Sequence, residues 1–163
     1  MPKTPKKQAR ETVLVLDNIR SMHNVGSIFR TADAAGITKI YLCGTTPTPF
    51  DRFNREVKEI AKTALGAEKT IAWEYAKTTT SVLKKLKKNF QIIAIEQTKD
   101  SVDYKKVKPK FPAAFVVGNE VEGISKNVLK LCDIVAEIPM KGEKESLNVS
   151  VATGVALFRI LNI

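Results

Sequence analysis

Ala113-Ala114-Phe115-Val116-Val117-Gly118-Asn119-Glu120-Val121-Glu122-Gly123-Ile124-Ser125 is the stretch on which the fold turns. Its first five residues are a short apolar run with β-branched and aromatic members, which reads as a strand. A polar loop bounded by two glycines follows, and Ser125 is placed to cap a helix running to about Leu131. A strand apolar at every position must be covered on both faces, as in a parallel sheet. In such sheets the loops at the carboxyl ends of strands hold ligands.

The pattern repeats in both directions from there. Thr12–Leu16, Lys39–Cys43, Gln91–Ile95 and Asp133–Ile138 read as further strands, with a shorter one at 71–73. Helical spacing covers Val25 to about Ala35, residues 54–65 with Gly66 as a stop, Thr80–Lys88, and Leu147–Leu161. Residues 99–112 read as a charged, proline-marked connection. Strands alternating with helices predict an α/β fold, a parallel sheet flanked by helices on both faces. In the last helix Leu147, Val151, Val155 and Phe158 share an apolar stripe, while Ala152, Thr153, Gly154 and Ala156 leave other faces small. A mid-helix glycine costs roughly 1 kcal/mol relative to alanine, so close packing is expected there, in the core or at an interface.

The chain has 163 residues, 44% of them hydrophobic, enough for one core. Residues 1–11, with Lys3, Lys6, Lys7 and Arg10 among Pro2 and Pro5, read as a basic flexible tail. Residues 12–163 read as a single domain. Lysine and arginine number 27 against 17 acidic residues, a formal charge of +10. That balance favours a polyanionic partner, because phosphate contacts release counterions and steer association. No apolar run is long enough for a membrane helix and no signal-peptide pattern follows the basic N-terminus, so the expected location is the cytoplasm. Cys43 and Cys132 stand far apart and His23 is the sole histidine. They read as reduced core thiols, with no metal site expected.

Two more loops resemble the first in kind. One is Asn18-Ile19-Arg20-Ser21-Met22-His23-Asn24-Val25-Gly26-Ser27-Ile28-Phe29-Arg30, at the start of a predicted helix with Asn24 as its expected cap. The other runs from Ile138-Pro139-Met140 to Ser146-Leu147-Asn148-Val149-Ser150. Backbone groups of such loops can hold an adenine ring between apolar walls, for which Ile138, Met140 and Leu147 are candidates. The dinucleotide fingerprint G-x-G-x-x-G, the P-loop and the G-x-S-x-G elbow are absent. With a single histidine, a Ser-His-Asp triad is disfavoured. His23 is expected to be a loop residue near the site rather than a base.

Taken in order, Asn24-x-Gly26-x-x-x-Arg30, Gly118-Asn119-Glu120-x-x-Gly123, and Ile138-Pro139-Met140 with Ser146-Leu147-Asn148-Val149-Ser150 resemble the three signature motifs of the SpoU (TrmH-type) RNA 2'-O-ribose methyltransferases, within the SPOUT superfamily. The resemblance covers nearly the whole chain beyond the first ten residues. It implies S-adenosyl-L-methionine as cofactor and RNA as partner. The target ribose must be reachable, so a tRNA loop or an exposed rRNA loop is expected, tRNA slightly favoured. The resemblance also implies a homodimer and a C-terminal deep trefoil knot of the SPOUT type, which simple connection rules would not predict. By the same resemblance Asn24, Arg30, Glu120, Ser146 and Asn148 are catalytic, and Gly118, Asn119, Gly123, Ile138, Met140 and Leu147 bind the cofactor. Arg30 is the expected centre of the chemistry, with Glu120 orienting it or the substrate. A guanidinium remains protonated at working pH, so its expected role is to grip an RNA phosphate and stabilise the developing alkoxide. The competing readings are a non-catalytic RNA-binding module on the same fold and an unrelated doubly wound nucleotide-binding enzyme.

Overall fold

The computed structural model describes residues 10–163, so the basic tail lies, through residue 9, outside the described residues. The elements follow in the order β1 (Thr12–Asp17), α1 (Met22–Ala35), β2 (Lys39–Cys43), α2 (Lys58–Ala64), α3 (Ala67–Thr70), β3 (Ala72–Ala76), α4 (Thr79–Leu86), β4 (Gln91–Ile95), β5 (Val102–Asp103), a 3-10 turn (Tyr104–Lys106), β6 (Ala113–Gly118), α5 (Lys126–Leu129), β7 (Ile134–Glu137) and α6 (Val149–Leu161). The strands form one seven-stranded sheet in the order β3-β2-β1-β6-β4-β7-β5. Every pairing is parallel. The expected parallel α/β sheet is therefore present.

Burial explains why the central strands read as unbroken apolar runs. All residues of β1 and β6 are buried, because helices cover both faces. On one face Leu14, Leu16, Ile93, Phe115 and Val117 meet Ile28 and Phe29 of α1, Ile60 of α2, and Leu157 and Ile160 of α6. On the other, Val13, Val15, Ile92, Ala94 and Val116 meet Val82, Leu83 and Leu86 of α4 and Val128 of α5.

The chain runs outward from β1 through β2 to β3, then crosses to the other half of the sheet. Strands β1 and β6 are neighbours, but their following segments depart in opposite directions. Such a switch leaves a crevice at the carboxyl edge of the sheet. The loops after β1 and β6 stand on its two sides.

Several local expectations shift. Helix α1 begins earlier than expected, and its cap is Ser21, whose Oγ accepts from the Asn24 backbone N–H at 3.1 Å. Asn24 is thus inside the first turn, and so is His23, which is exposed. Ser125 does cap α5, accepting from the Val128 N–H. The helix expected from residue 54 starts only at Lys58, because residues 51–57 form a hydrogen-bonded loop. The connection after β4 contains a seventh strand, β5, of two residues.

Helix α6 turns its small face inward. Thr153, Ala156, Leu157 and Ile160 are buried, while Val151, Val155 and Phe158 are 37–50% exposed; Leu147, expected on the same stripe, lies ahead of the helix, whose cap is Asn148. A Cβ added at Gly154 would meet Thr31 Cγ2 at 3.4 Å, ordinary contact, so no backbone within the chain demands glycine there. Gly26 is the opposite case. A Cβ there would lie 1.9 Å from Thr63 Oγ1 and 2.4 Å from the Ile60 carbonyl oxygen, so α1 and α2 cross closely only because residue 26 has no side chain.

Candidate active site

A cavity of about 700 Å³ opens at the carboxyl edge of the sheet. Its wall is drawn from the end of β4 and the loop after it (Ile95, then Glu96, Gln97 and Thr98), the loop after β6, the segment after β7 and the first turn of α6. Asn24, Gly118, Asn119, Glu120, Gly123, Ile138, Met140, Ser146, Leu147 and Asn148 all line it. Every candidate from the sequence reading is therefore brought to one place, apart from Arg30.

Glu120 ties the loop after β6 to the start of α1. Its Oε2 accepts from the Arg20 backbone N–H at 3.2 Å, and its Oε1 from the Ser21 N–H at 3.1 Å and Asn24 Nδ2 at 3.3 Å. Partial burial alone would raise the carboxyl pKa. The hydrogen bonds from its own backbone, from Ser21, Arg20 and Asn24, outweigh that and hold it below the ordinary value. Glu120 is thus a fixed anion. Within the chain its partners are the Arg20 and Ser21 backbone N–H groups and the Asn24 side-chain amide, rather than Arg30, one of the two expected targets.

The chain of bonds continues across the cavity. Asn148 donates from Nδ2 to Asn24 Oδ1 at 3.2 Å. Its own Oδ1 caps α6, accepting from the Ser150 N–H at 2.9 Å and the Val151 N–H at 3.4 Å. Two helix starts are therefore joined through one pair of side-chain amides, with Glu120 fixing the orientation of the first. Ser146 is exposed on the rim beside them.

The loop after β6 is held in a tight reversal. Gly123 donates to the Asn119 carbonyl at 2.9 Å and has φ +67°, a conformation that favours glycine. A Cβ on Gly118 would lie 2.7 Å from the backbone N of Ile124. The Asn119 side chain builds this reversal: Oδ1 accepts from the Val121 and Glu122 N–H groups at 2.9 Å, and Nδ2 donates to the Asn18 carbonyl at 2.8 Å. Its polar atoms are engaged inside the protein, so toward a ligand Asn119 offers position rather than a free hydrogen-bonding group.

Glu96 was not singled out from the sequence. Its Oε2 accepts from the Ile124 N–H at 2.9 Å and its Oε1 from the Gln97 N–H at 2.9 Å, anchoring the β6 loop to the end of β4. The segment carries no glycine or proline to mark it. The signal that finds it is position, at the carboxyl end of a buried apolar strand.

Arg30 is exposed on α1 and stands apart from the residues lining the cavity. None of the ion pairs among the described residues includes it. Helix α6, with its exposed apolar stripe, packs beside α1. Among the described residues, no group of three or more His, Cys, Asp or Glu side chains could hold a metal ion. No described helix is long and apolar enough to cross a membrane. Both cysteines are free, and burial pushes each thiol up to about 12.

The lining suits a nucleoside-type ligand. Ile138, Met140 and Leu147 offer apolar walls, and the loop backbones offer polar groups without a charged side chain at each step.

Comparison with known proteins agrees with this geometry. The sequence pattern of the SpoU rRNA Methylase family matches residues 11–158. A tRNA (guanosine(18)-2'-O)-methyltransferase of Aquifex aeolicus is 32% identical over 154 residues, which cover 94% of this chain and 70% of that protein. The crystal structure of the A. aeolicus TrmH/SpoU tRNA modifying enzyme superposes with a TM-score of 0.81 at 30% identity, covering 94% of this chain and 75% of the other. That of an AdoMet-bound rRNA methyltransferase from Sinorhizobium meliloti gives 0.82 at 32% identity, covering 93% and 56%. The chain thus spans little more than half the length of the Sinorhizobium protein.

Proposed function

This chain belongs to the SpoU rRNA methylase family, and from that premise we propose that it is an S-adenosylmethionine-dependent enzyme methylating a ribose 2'-hydroxyl in structured RNA. The observation that carries the proposal is the cavity at the sheet edge, walled by all three motif regions and braced by the Glu120–Asn24–Asn148 chain. The relatives of this chain act on tRNA in one case and rRNA in another. Of the two, tRNA is the favoured substrate.

The residues present fit the cofactor. Ile138, Met140 and Leu147 supply apolar contact for an adenine ring, and Glu96 and Glu120 place negative charge in the wall, which complements a sulfonium. When bound, S-adenosylmethionine supplies an electrophilic methyl group on that sulfonium. The protein's part is alignment, because an in-line transfer asks chiefly for position. Asn24, Ser146 and Asn148 position the ribose or the methionine portion, and Glu120 keeps Asn24 in register. Arg30 holds an RNA phosphate and stabilises the developing alkoxide, while phosphate or water takes the proton.

Arg30 serves this role in a homodimer. Helix α1 packs against α6, whose outward residues Val151, Val155 and Phe158 are an apolar stripe left uncovered in one chain. A second copy covering that stripe brings Arg30 into the assembled site. The deep C-terminal trefoil knot belongs to the same reading. Supporting it, β7 is inserted between β4 and β5, both earlier in sequence, and β6 between β1 and β4. The cytoplasm is the proposed location.

Isothermal titration of the purified protein with S-adenosylmethionine tests the reading. Saturable binding near one site per chain is expected. A folded protein that binds no cofactor at millimolar concentration contradicts it.

A further inference from the structure

The segment between β2 and α2 leaves the same carboxyl edge of the sheet that carries the cavity, since every strand pairing is parallel. Its tip is a built loop. Asp51 Oδ1 accepts from the Phe53 and Arg55 N–H groups at 2.9 Å, and Oδ2 from Arg55 Nε at 2.9 Å. The Asp51 N–H donates to the Arg55 carbonyl, and the Asn54 N–H to the Asp51 carbonyl, both at 2.9 Å. Asn54 takes φ +59° to complete the reversal, a conformation asparagine accepts more readily than most residues.

This loop holds an aromatic ring out in water. Phe53 is 63% exposed, the most exposed aromatic side chain among the described residues. The guanidinium carbons of Arg52 and Arg55 lie 4.8 and 4.9 Å from its ring centroid. Arg55 is paired to Asp51, whereas no ion pair among the described residues includes Arg52. A single exposed phenylalanine is unremarkable. One fixed by an ordered loop, between two arginines, on a chain of formal charge +10, has the make-up of a platform for a base.

We propose that Phe53, framed by Arg52 and Arg55, stacks an unpaired base of the RNA substrate. The inference rests on the reading of the chain as an RNA methyltransferase and deepens it by assigning part of the RNA surface. Every base has a π-face, so an aromatic platform holds single-stranded RNA with little sequence preference. Arginine stacks on bases as well as pairing with phosphate, so either guanidinium can give up its place on the ring to a base. Arg52, without a carboxylate partner, is the one positioned to meet the adjoining phosphate. A base still in a duplex offers no free face.

The test compares wild type with Phe53→Leu, which keeps an apolar side chain but removes the ring, and Phe53→Trp, which restores one. The probes are total tRNA, a mixed-sequence single-stranded RNA of about twelve nucleotides, and its blunt duplex. Phe53→Leu is expected to weaken binding to tRNA and to the single strand about tenfold, leaving duplex binding and the S-adenosylmethionine titration unchanged. Phe53→Trp is expected to keep wild-type affinity. The inference is overturned if Phe53→Leu binds the single strand and tRNA as wild type does, or loses duplex binding equally. A change in sedimentation on Phe53→Leu also overturns it, marking the ring as a protein contact. Wild type that binds none of the RNA probes removes the RNA reading itself, whereas wild type that binds alongside an unaffected leucine variant removes only the assignment of Phe53.

Discussion

Asn148 and Asn24, 124 residues apart in sequence, are joined by a 3.2 Å hydrogen bond from Nδ2 of the first to Oδ1 of the second. Asn148 is also the cap of α6, and Asn24 is also held by Glu120. One short relay therefore couples the last helix, the first helix and the loop after β6. Each member has its partners within the chain.

Asn148→Asp separates the two duties of Asn148. A carboxylate still caps α6, but it cannot donate to Asn24. Turning Asn24 to suit it sets the Asn24 oxygen against Glu120. The opposed oxygens should cost about 1–3 kcal/mol of stability, and cofactor affinity and turnover should fall. Asn148→Ala loses the cap as well and should cost about 1 kcal/mol of stability. Chemical denaturation beside cofactor titration distinguishes the two.

Glu120 gives a pH signature. Its folded pKa lies below the ordinary carboxylate value. The stability it contributes is therefore fully present above that ordinary value and is lost as pH falls through the lower folded one. Glu120→Gln should be less stable than wild type at neutral pH, with the gap closing in acid. Urea midpoints measured across pH show this directly. A gap that widens in acid contradicts the hydrogen-bonded anion.

Glycine-to-alanine changes at two helical positions should differ in sign. Gly26→Ala puts a methyl into the Ile60 carbonyl and Thr63, and overpacking of this kind costs about 1–3 kcal/mol. Gly154→Ala meets only Thr31 at contact distance and gains helix propensity, up to about 1 kcal/mol. Thermal unfolding of the two variants against wild type reads the contrast.

The exposed stripe on α6 predicts assembly. Wild type should sediment as a dimer. Val155→Glu, at a position 37% exposed within one chain, should leave the fold intact by circular dichroism and sediment as a monomer. Methyl transfer should fall with it, because Arg30 is not among the residues that line the cavity of its own chain and the proposed site needs the second copy. A dimeric Val155→Glu protein contradicts this assignment of the interface.

Strand and helix alternation was legible because buried parallel strands are apolar at every position. Lys39–Cys43 and Gln91–Ile95 were read with the bounds the structure gives them. Spacing identified which residues of α6 share a stripe, but not that Val151, Val155 and Phe158 face outward, nor that Leu147 lies ahead of the helix. Periodicity groups residues by face without saying which face the rest of the chain covers. Asn24 reads as a cap because asparagine and serine both cap helices, and only the fold shows Ser21 taking that place and leaving the Asn24 amide to bond Glu120 and Asn148. The resemblance gives Glu120 as orienting Arg30 or the substrate, whereas its bonds within the chain go to Asn24 and to backbone N–H groups that a sequence does not display. The two-residue β5 and the Glu96 anchor were missed because neither carries a local pattern.

The most direct test of the central claim is the chemical position of the transferred methyl. The protein would be incubated with methyl-tritiated S-adenosylmethionine and total tRNA or rRNA, and the RNA then digested with alkali. Alkaline cleavage uses the ribose 2'-hydroxyl as nucleophile, so a methyl on that oxygen protects the adjoining phosphodiester. Label in alkali-resistant dinucleotides is the predicted result. Label confined to mononucleotides would place the methyl on a base and contradict the account, as would no transfer by a folded, cofactor-binding protein to either RNA.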